Sequence, residues 1–165
     1  MSSNEPLNAN PVVHHVPKAP RRQVSYNSDA DTDDGVYEPI DEQEIFDLIG
    51  NINDPEHPLT LAQLAVVNLD DIKITAAPNG LQTVHVDLTP TIPHCSMATL
   101  IGLCVRVRLN RSLPARYRVD IKVKEGTHQS EKAVNRQLAD KERVAAACEN
   151  EQLMGVLSGM MESCI

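Results

Sequence analysis

Aromatic side chains are nearly missing: there is no Trp, one Phe and three Tyr in 165 residues. Base stacking on aromatic platforms is the usual way to grip single-stranded nucleic acid, so direct nucleic-acid binding is not expected. Long apolar runs are also missing. The longest fall far short of the ~20 residues of a membrane span. No apolar h-region opens the chain, so no secretory signal is expected. Cysteine is scarce and not arranged for zinc. Cys95, Cys104, Cys148 and Cys164 are separated by 9, 44 and 16 residues and form no C-x-x-C pair. Without a secretory signal the four thiols are expected to stay reduced. The ending Glu162-Ser163-Cys164-Ile165 is not a prenylation box, because its Cys stands next to last.

What is present is unevenly distributed. Residues 1–58 carry twelve acids and three bases, a balance of −9; residues 59–165 carry eleven acids and twelve bases, a balance of +1. The net charge of −8 is therefore a property of the N-terminal third. Residues 1–40 hold Pro6, Pro11, Pro17, Pro20 and Pro39 and the acidic run Asp29, Asp31, Asp33, Asp34. Such a stretch cannot bury enough apolar surface to offset its chain entropy, so it reads as a disordered tail. Residues 41–165 read as a single domain.

Asp41 and Glu44 have the spacing of a capping box, and Ile45, Leu48, Ile49 and Ile52 follow at helical spacing. A helix is predicted over 42–52, stopped by Asp54-Pro55-Glu56-His57-Pro58. Thr60 and Gln63 predict a second, short helix reaching Val66. Ile72 and Ile74, then Val84, Val86 and Leu88, alternate with polar residues around Pro78-Asn79-Gly80, which predicts a hairpin. From Cys95 to Leu109 the apolar positions fall at helical spacing, interrupted only by Arg108. That places Cys104 in the core. Tyr117, Val119, Ile121 and Val123 alternate with polar residues and predict a strand. Helices then open at Ser130 and Asp140, and Leu153, Val156, Leu157, Met160 and Met161 form a last apolar stripe. Cys148 is expected in the core. The whole reads as an α+β domain: a small mixed sheet covered by helices, in the order ααββαβ, then C-terminal helices.

Cys95 stands in or beside the first turn of a helix, where free backbone amides favour an anion and should lower a thiol pKa. A buried, inert Cys95 is the competing reading. Asp54 and Glu56 could offer oxygen ligands, though hard carboxylates suit Mg or Ca better than sulfur chemistry; a helix-stopping loop is the plainer reading. Thr127-His128 precedes a helix, either as a simple turn or as a neighbour of Cys95. Between 106 and 124 there are seven bases against the single acid Asp120. Among them Arg118, Lys122 and Lys124 share one strand face, which is a solvated face or a docking surface for an acidic partner.

The run Thr-Pro-Thr-Ile-Pro-His-Cys-Ser-Met-Ala-Thr-Leu-Ile-Gly at 89–102 resembles the signature of the cytosolic iron–sulfur assembly component 2 family, whose bacterial relatives include SufT and the PaaD-like proteins. Further stretches fit the same family: 45–49, 52–58, 111–116, and Glu125-Gly126-Thr127-His128 continuing through 133–147. The resemblance covers roughly 42–150. Gly50, residues 70–82, Cys104, Cys148 and the last dozen residues depart from the family pattern, which is compatible with a divergent paralogue.

The resemblance implies a non-enzymatic adaptor that joins a WD40 propeller protein and a HEAT-repeat scaffold. Their complex delivers [4Fe–4S] clusters to apoproteins, DNA-metabolism enzymes among them, in the cytoplasm and also in the nucleus, with a link to chromosome segregation. Members can dimerise, in some cases by domain swapping. No stably bound cofactor is expected: such a cluster normally takes four thiolates, and Cys95 offers one. Cys95 is then a transient, shared ligand, with His94, Ser96, Thr99 and His128 in support and Asp54, Glu56, Arg118, Lys122 and Lys124 as partner-binding candidates. Two other classes stay open. One is a thiol enzyme using Cys95 with His94 or His128, which needs a base in reach and an orienting third group. The other is a purely structural interaction module.

Overall fold

The computed structural model describes residues 8–16 and 39–164. Helix α1 (Glu42–Gly50) starts with the predicted capping box. Asp41 Oδ1 accepts the Glu44 amide at 2.9 Å, and Glu44 Oε2 accepts the Asp41 amide at 3.0 Å. Ile45, Ile49 and, just past the helix, Ile52 are fully buried.

The second predicted helix does not form. Thr60 and Gln63 do cap each other's amides (3.2 and 2.9 Å), but only one turn follows. The Ala65 amide donates back to Ala62 O and the Val66 amide to Leu61 O, while Ala65 takes φ +52. This is a Schellman ending with alanine where glycine is usual. It stops the helix so that Leu61, Leu64, Val66 and Val67 can all be buried, a density that one helical stripe cannot supply.

The hairpin is β1 (Ile72–Ala76) and β2 (Gln82–Leu88), antiparallel. Its turn uses Gly80 at φ +80, with Asn79 Oδ1 accepting the Leu81 amide. Strand β3 (Tyr117–Val123) pairs with β2 in parallel, giving the order β1-β2-β3. The register aligns Ile72, Val86 and Ile121 in one buried row. Lys73, His85 and Asp120 align on the opposite, polar face.

Parallel neighbours need a crossover, and α2 (Ala98–Ser112) provides it. It buries Ala98, Ile101 to Val105, Val107 and Leu109, so it is the central helix rather than a surface one. Arg108, the polar residue in its apolar stripe, donates Nε to Leu48 O (3.2 Å) and Nη2 to Cys164 O (2.9 Å). α1 has no base in its own last turn; Arg108 supplies that positive charge from outside the helix.

Three helices follow: α3 (Glu131–Ala139), α4 (Lys141–Glu149) and α5 (Glu151–Met160). Gly102 lets α3 come close. A Cβ there would meet Leu138 Cδ1 at 2.6 Å. α4 buries no residue, so Cys148 is exposed, against the core position expected for it. Val144 and Ala147 of this helix are partly buried and pack against the core. In α5, Leu157 and Met160 are buried but Val156 is half exposed; Met154 packs on the core instead. The five helices and the mixed sheet of the described residues make the α+β class expected. None of these helices is long and apolar enough to cross a membrane.

Most of the stretch read as a tail lies outside the described residues. Its segment 8–16 touches the body: the His14 amide donates to Gln63 O at 2.7 Å, and the Asn8 carbonyl accepts from His57 Nε2.

Candidate functional site

Parallel β2 and β3 end at the same edge of the sheet, so the loops that leave them emerge side by side. This is the usual place for a site where parallel strands end. The loop after β2 carries Pro93-His94-Cys95-Ser96, and the loop after β3 carries Thr127-His128. They are joined at three points. The Lys124 amide donates to Leu88 O and the Gln129 amide to Pro93 O, both at 2.8 Å. His128 Nε2 lies 2.8 Å from Cys95 O. His128 Nδ1 accepts the Ser130 amide at 3.0 Å, so the ring proton sits on Nε2 and donates to the Cys95 carbonyl.

A third loop lies near enough for its carboxylates to act on the Cys95 thiol. Asp54 Oδ1 accepts the amides of Glu56 (2.8 Å) and His57 (2.9 Å) and pairs with His57 Nδ1 at 2.9 Å. Asp54 is thus the internal anchor of the loop that stops α1.

Cys95 sits just before α2, 6 % exposed. Burial pushes its thiol pKa up. The Met97 amide opposes this, the Glu56 and Asp54 carboxylates raise it further, and the Ala98 amide lowers it. The net direction is upward, against the expectation of a lowered pKa. The helix-start amides do act on the sulfur, but desolvation and two nearby carboxylates outweigh them. Both acids singled out in the sequence therefore reach this thiol, electrostatically rather than as partners.

The other predicted residues divide. His94 and Ser96 flank Cys95 and are exposed. Thr99 Oγ1 donates to Gln137 Oε1 at 3.3 Å, tying α2 to α3. Beside Ser96 and Thr99 an apolar groove of about 530 Å³ runs between α2, α3 and α4, with Leu100, Leu103 and Val144 on its walls. On the basic strip, Lys124 pairs with Asp71 at 2.7 Å and Lys122 with Asp120 at 3.3 Å. Asp120 also holds His85 at 3.0 Å. Of the three bases singled out, Arg118 and Lys122 are exposed on β3 and Lys124 follows it.

Cys104 is fully buried, its thiol pushed up to about 12, first by burial. It cannot join Cys95 as a ligand. Among the described residues no three His, Cys, Asp or Glu side chains gather to hold a metal ion. A four-thiolate set would need sulfurs from other chains.

Sequence reasoning missed two roles. His57 is buried, between Asp54 and the Asn8 carbonyl; the signal was an Asp and a His three apart in a proline-bounded loop. Asn135 caps the end of β3, its Oδ1 accepting the Val123 amide at 2.7 Å. No local pattern marks that contact.

The sequence profile of the iron–sulfur cluster assembly protein family matches residues 42–123. The chain is 66% identical over 128 residues to a MIP18 family protein of Schizosaccharomyces pombe, covering 78% of this chain and 72% of that protein. It is 55% identical over 151 residues to the MIP18 family protein galla-2 of Drosophila melanogaster, with 92% of each covered. It is 52% identical over 151 residues to cytosolic iron-sulfur assembly component 2B of Mus musculus, covering 92% of this chain and 88% of that protein.

Proposed function

The chain belongs to the MIP18 family of iron–sulfur cluster assembly proteins, and from that premise we propose that it is a cytosolic iron–sulfur assembly component that handles the [4Fe–4S] cluster as cargo. Cys95 is the buried thiol where the loops after the two parallel strands are tied together, His128 reaching its carbonyl and the Gln129 amide reaching Pro93 O. That observation carries the reading. Burial keeps the free Cys95 thiol protonated, so binding a cluster iron must displace that proton. The remaining thiolates come from a partner, a second copy or the client. The chain serves as an adaptor between a WD40 propeller and a HEAT-repeat scaffold. It serves client apoproteins that include DNA-metabolism enzymes, and through them chromosome segregation, in cytoplasm and nucleus. The exposed bases Arg118 and Lys122 form part of its docking surface, and residues 1–40 act as an acidic appendage to one domain.

Of the two histidines the thiol-enzyme alternative could use, His128 is not available as a base. Both ring nitrogens of His128 are committed to backbone groups, so neutral His128 has no lone pair to take a proton from Cys95. The adaptor reading predicts that Cys95→Ser, at equal protein level, loses maturation of an iron–sulfur client enzyme in cells. Full client activity in that variant would remove the cluster-ligand role. Copurification that brings down neither a propeller nor a HEAT-repeat protein at mild salt would remove the adaptor role.

A further inference from the structure

The turn between β3 and α3 is held mainly by bonds that do not involve its histidine ring. Gly126, at φ +79, donates its amide to Glu131 Oε2 at 2.6 Å; Thr127 Oγ1 and the Thr127 amide both donate to Lys124 O. Val134 then opens the regular helix bonds with Ser130 O. The His128 ring serves none of these bonds. It is oriented by the Ser130 amide on Nδ1, and its single N–H points across to the next loop, where it meets the carbonyl of Cys95.

That carbonyl belongs to the peptide plane that leads into Met97 and Ala98, whose amides act on the Cys95 sulfur. Within its own loop, the Cys95 backbone makes a turn bond from its amide to Ile92 O, at 3.2 Å. We propose that His128 is a positioning residue for Cys95: its Nε2–H fixes the Cys95 peptide, and with it the thiol's seat at the start of α2. The Gln129 amide on Pro93 O keeps the two loops adjacent by backbone alone. Removing the ring therefore frees the residue that bears the thiol without separating the loops. The assignment rests on the cluster-handling reading for its purpose, but the position of the thiol can be measured without any cluster.

The test is residue-resolved alkylation of the full chain with iodoacetamide, quantified by mass spectrometry. Cys104 reports global opening and exposed Cys148 serves as the internal reference. His128→Ala loses the bond to the Cys95 carbonyl and the one from the Ser130 amide; the first of these alone should raise the Cys95 rate about fivefold, the size expected when a local opening loses one hydrogen bond. Cys104 and Cys148 should be unchanged. His128→Gln, which can still place an N–H on the Cys95 carbonyl, should return the Cys95 rate to within twofold of wild type. An unchanged Cys95 rate in His128→Ala overturns the proposal. So does a rise shared by Cys104, or a failure of His128→Gln to restore the rate. A selective rise at Cys95 beside a fully functional Cys95→Ser variant would instead keep the positioning role and discard the cluster-ligand role.

Discussion

Cys95 and Cys148 differ more in their surroundings than in their local sequence. Cys95 lies on a loop, yet it is buried: His128 from the turn that starts α3 reaches its carbonyl, and the carboxylates of the loop that ends α1 act on its thiol. Cys148 lies on a regular helix, yet it is exposed, because α4 buries none of its residues. A regular element does not guarantee burial, and a loop does not guarantee exposure. What matters is how many other segments converge on the residue. α4 alone buries nothing, whereas α5 sends Leu157 and Met160 into the core.

The largest test of that contrast is functional. Cys95→Ser should abolish client maturation, and Cys148→Ser should leave it at the wild-type level, both read as client enzyme activity at matched protein amounts. A loss with Cys148→Ser would show that α4 also carries chemistry. Stability comes next. Leu138 is 1 % exposed and fills the space that Gly102 leaves, so Leu138→Ala should cost about 2–5 kcal/mol in urea unfolding. Val144→Ala, at the partly buried side of α4, should cost below ~1.5 kcal/mol.

Glycines give the same contrast at a smaller scale. Gly102→Ala drives a Cβ into Leu138 and should destabilise by about 1–3 kcal/mol. Gly155 in α5 has nothing within 4 Å of a new Cβ, so Gly155→Ala should stabilise by about 0.5–1 kcal/mol through helix propensity. Thermal melts of the two variants should move in opposite directions.

The smallest effect is in pH. His57 faces two acceptors, Asp54 and the Asn8 carbonyl, and only the imidazolium can donate to both. Burial opposes that charge. The Asn8 carbonyl and the Asp54 carboxylate, helped by the charge of Glu56, overcome it and raise the His57 pKa above 6.5. A raised folded-state pKa gives stability that is fully present below 6.5 and is lost as pH rises through the folded value. Proteolysis within 8–16 should therefore quicken as pH rises from 6 to 8, and His57→Ala should flatten that dependence. An equal slope in the variant would show that another group holds the segment.

Periodicity and turn or cap signals were enough to read α1, both strands of the hairpin and β3, and helical spacing alone was enough for α2, although it is buried on more than one face. They failed where two solutions share one pattern. In 60–66 the cap residues announce a helix, but four apolar side chains had to be buried in seven residues, and the chain reversed at Ala65 instead. In α5 the stripe could rotate to bury Val156 or Met154, and packing chose Met154. Arg108 looked like a flaw in an apolar stripe until its two carbonyl partners were seen. The site was legible in its parts: the Cys95 run, Asp54 and Glu56, and His128 were all marked. Their effect on one another was not.

By itself, the sequence determined the element types, the acidic N-terminal third, the burial of Cys104 and the family, because these depend on local spacing and on long matching motifs. Only the tertiary structure decided the direction of the Cys95 pKa. A helix start argues downward, but burial reverses it, and the Glu56 and Asp54 charges that add to burial come from about forty positions away. It alone likewise set the exposure of Cys148, since a helix's own periodicity cannot say whether anything will pack against it.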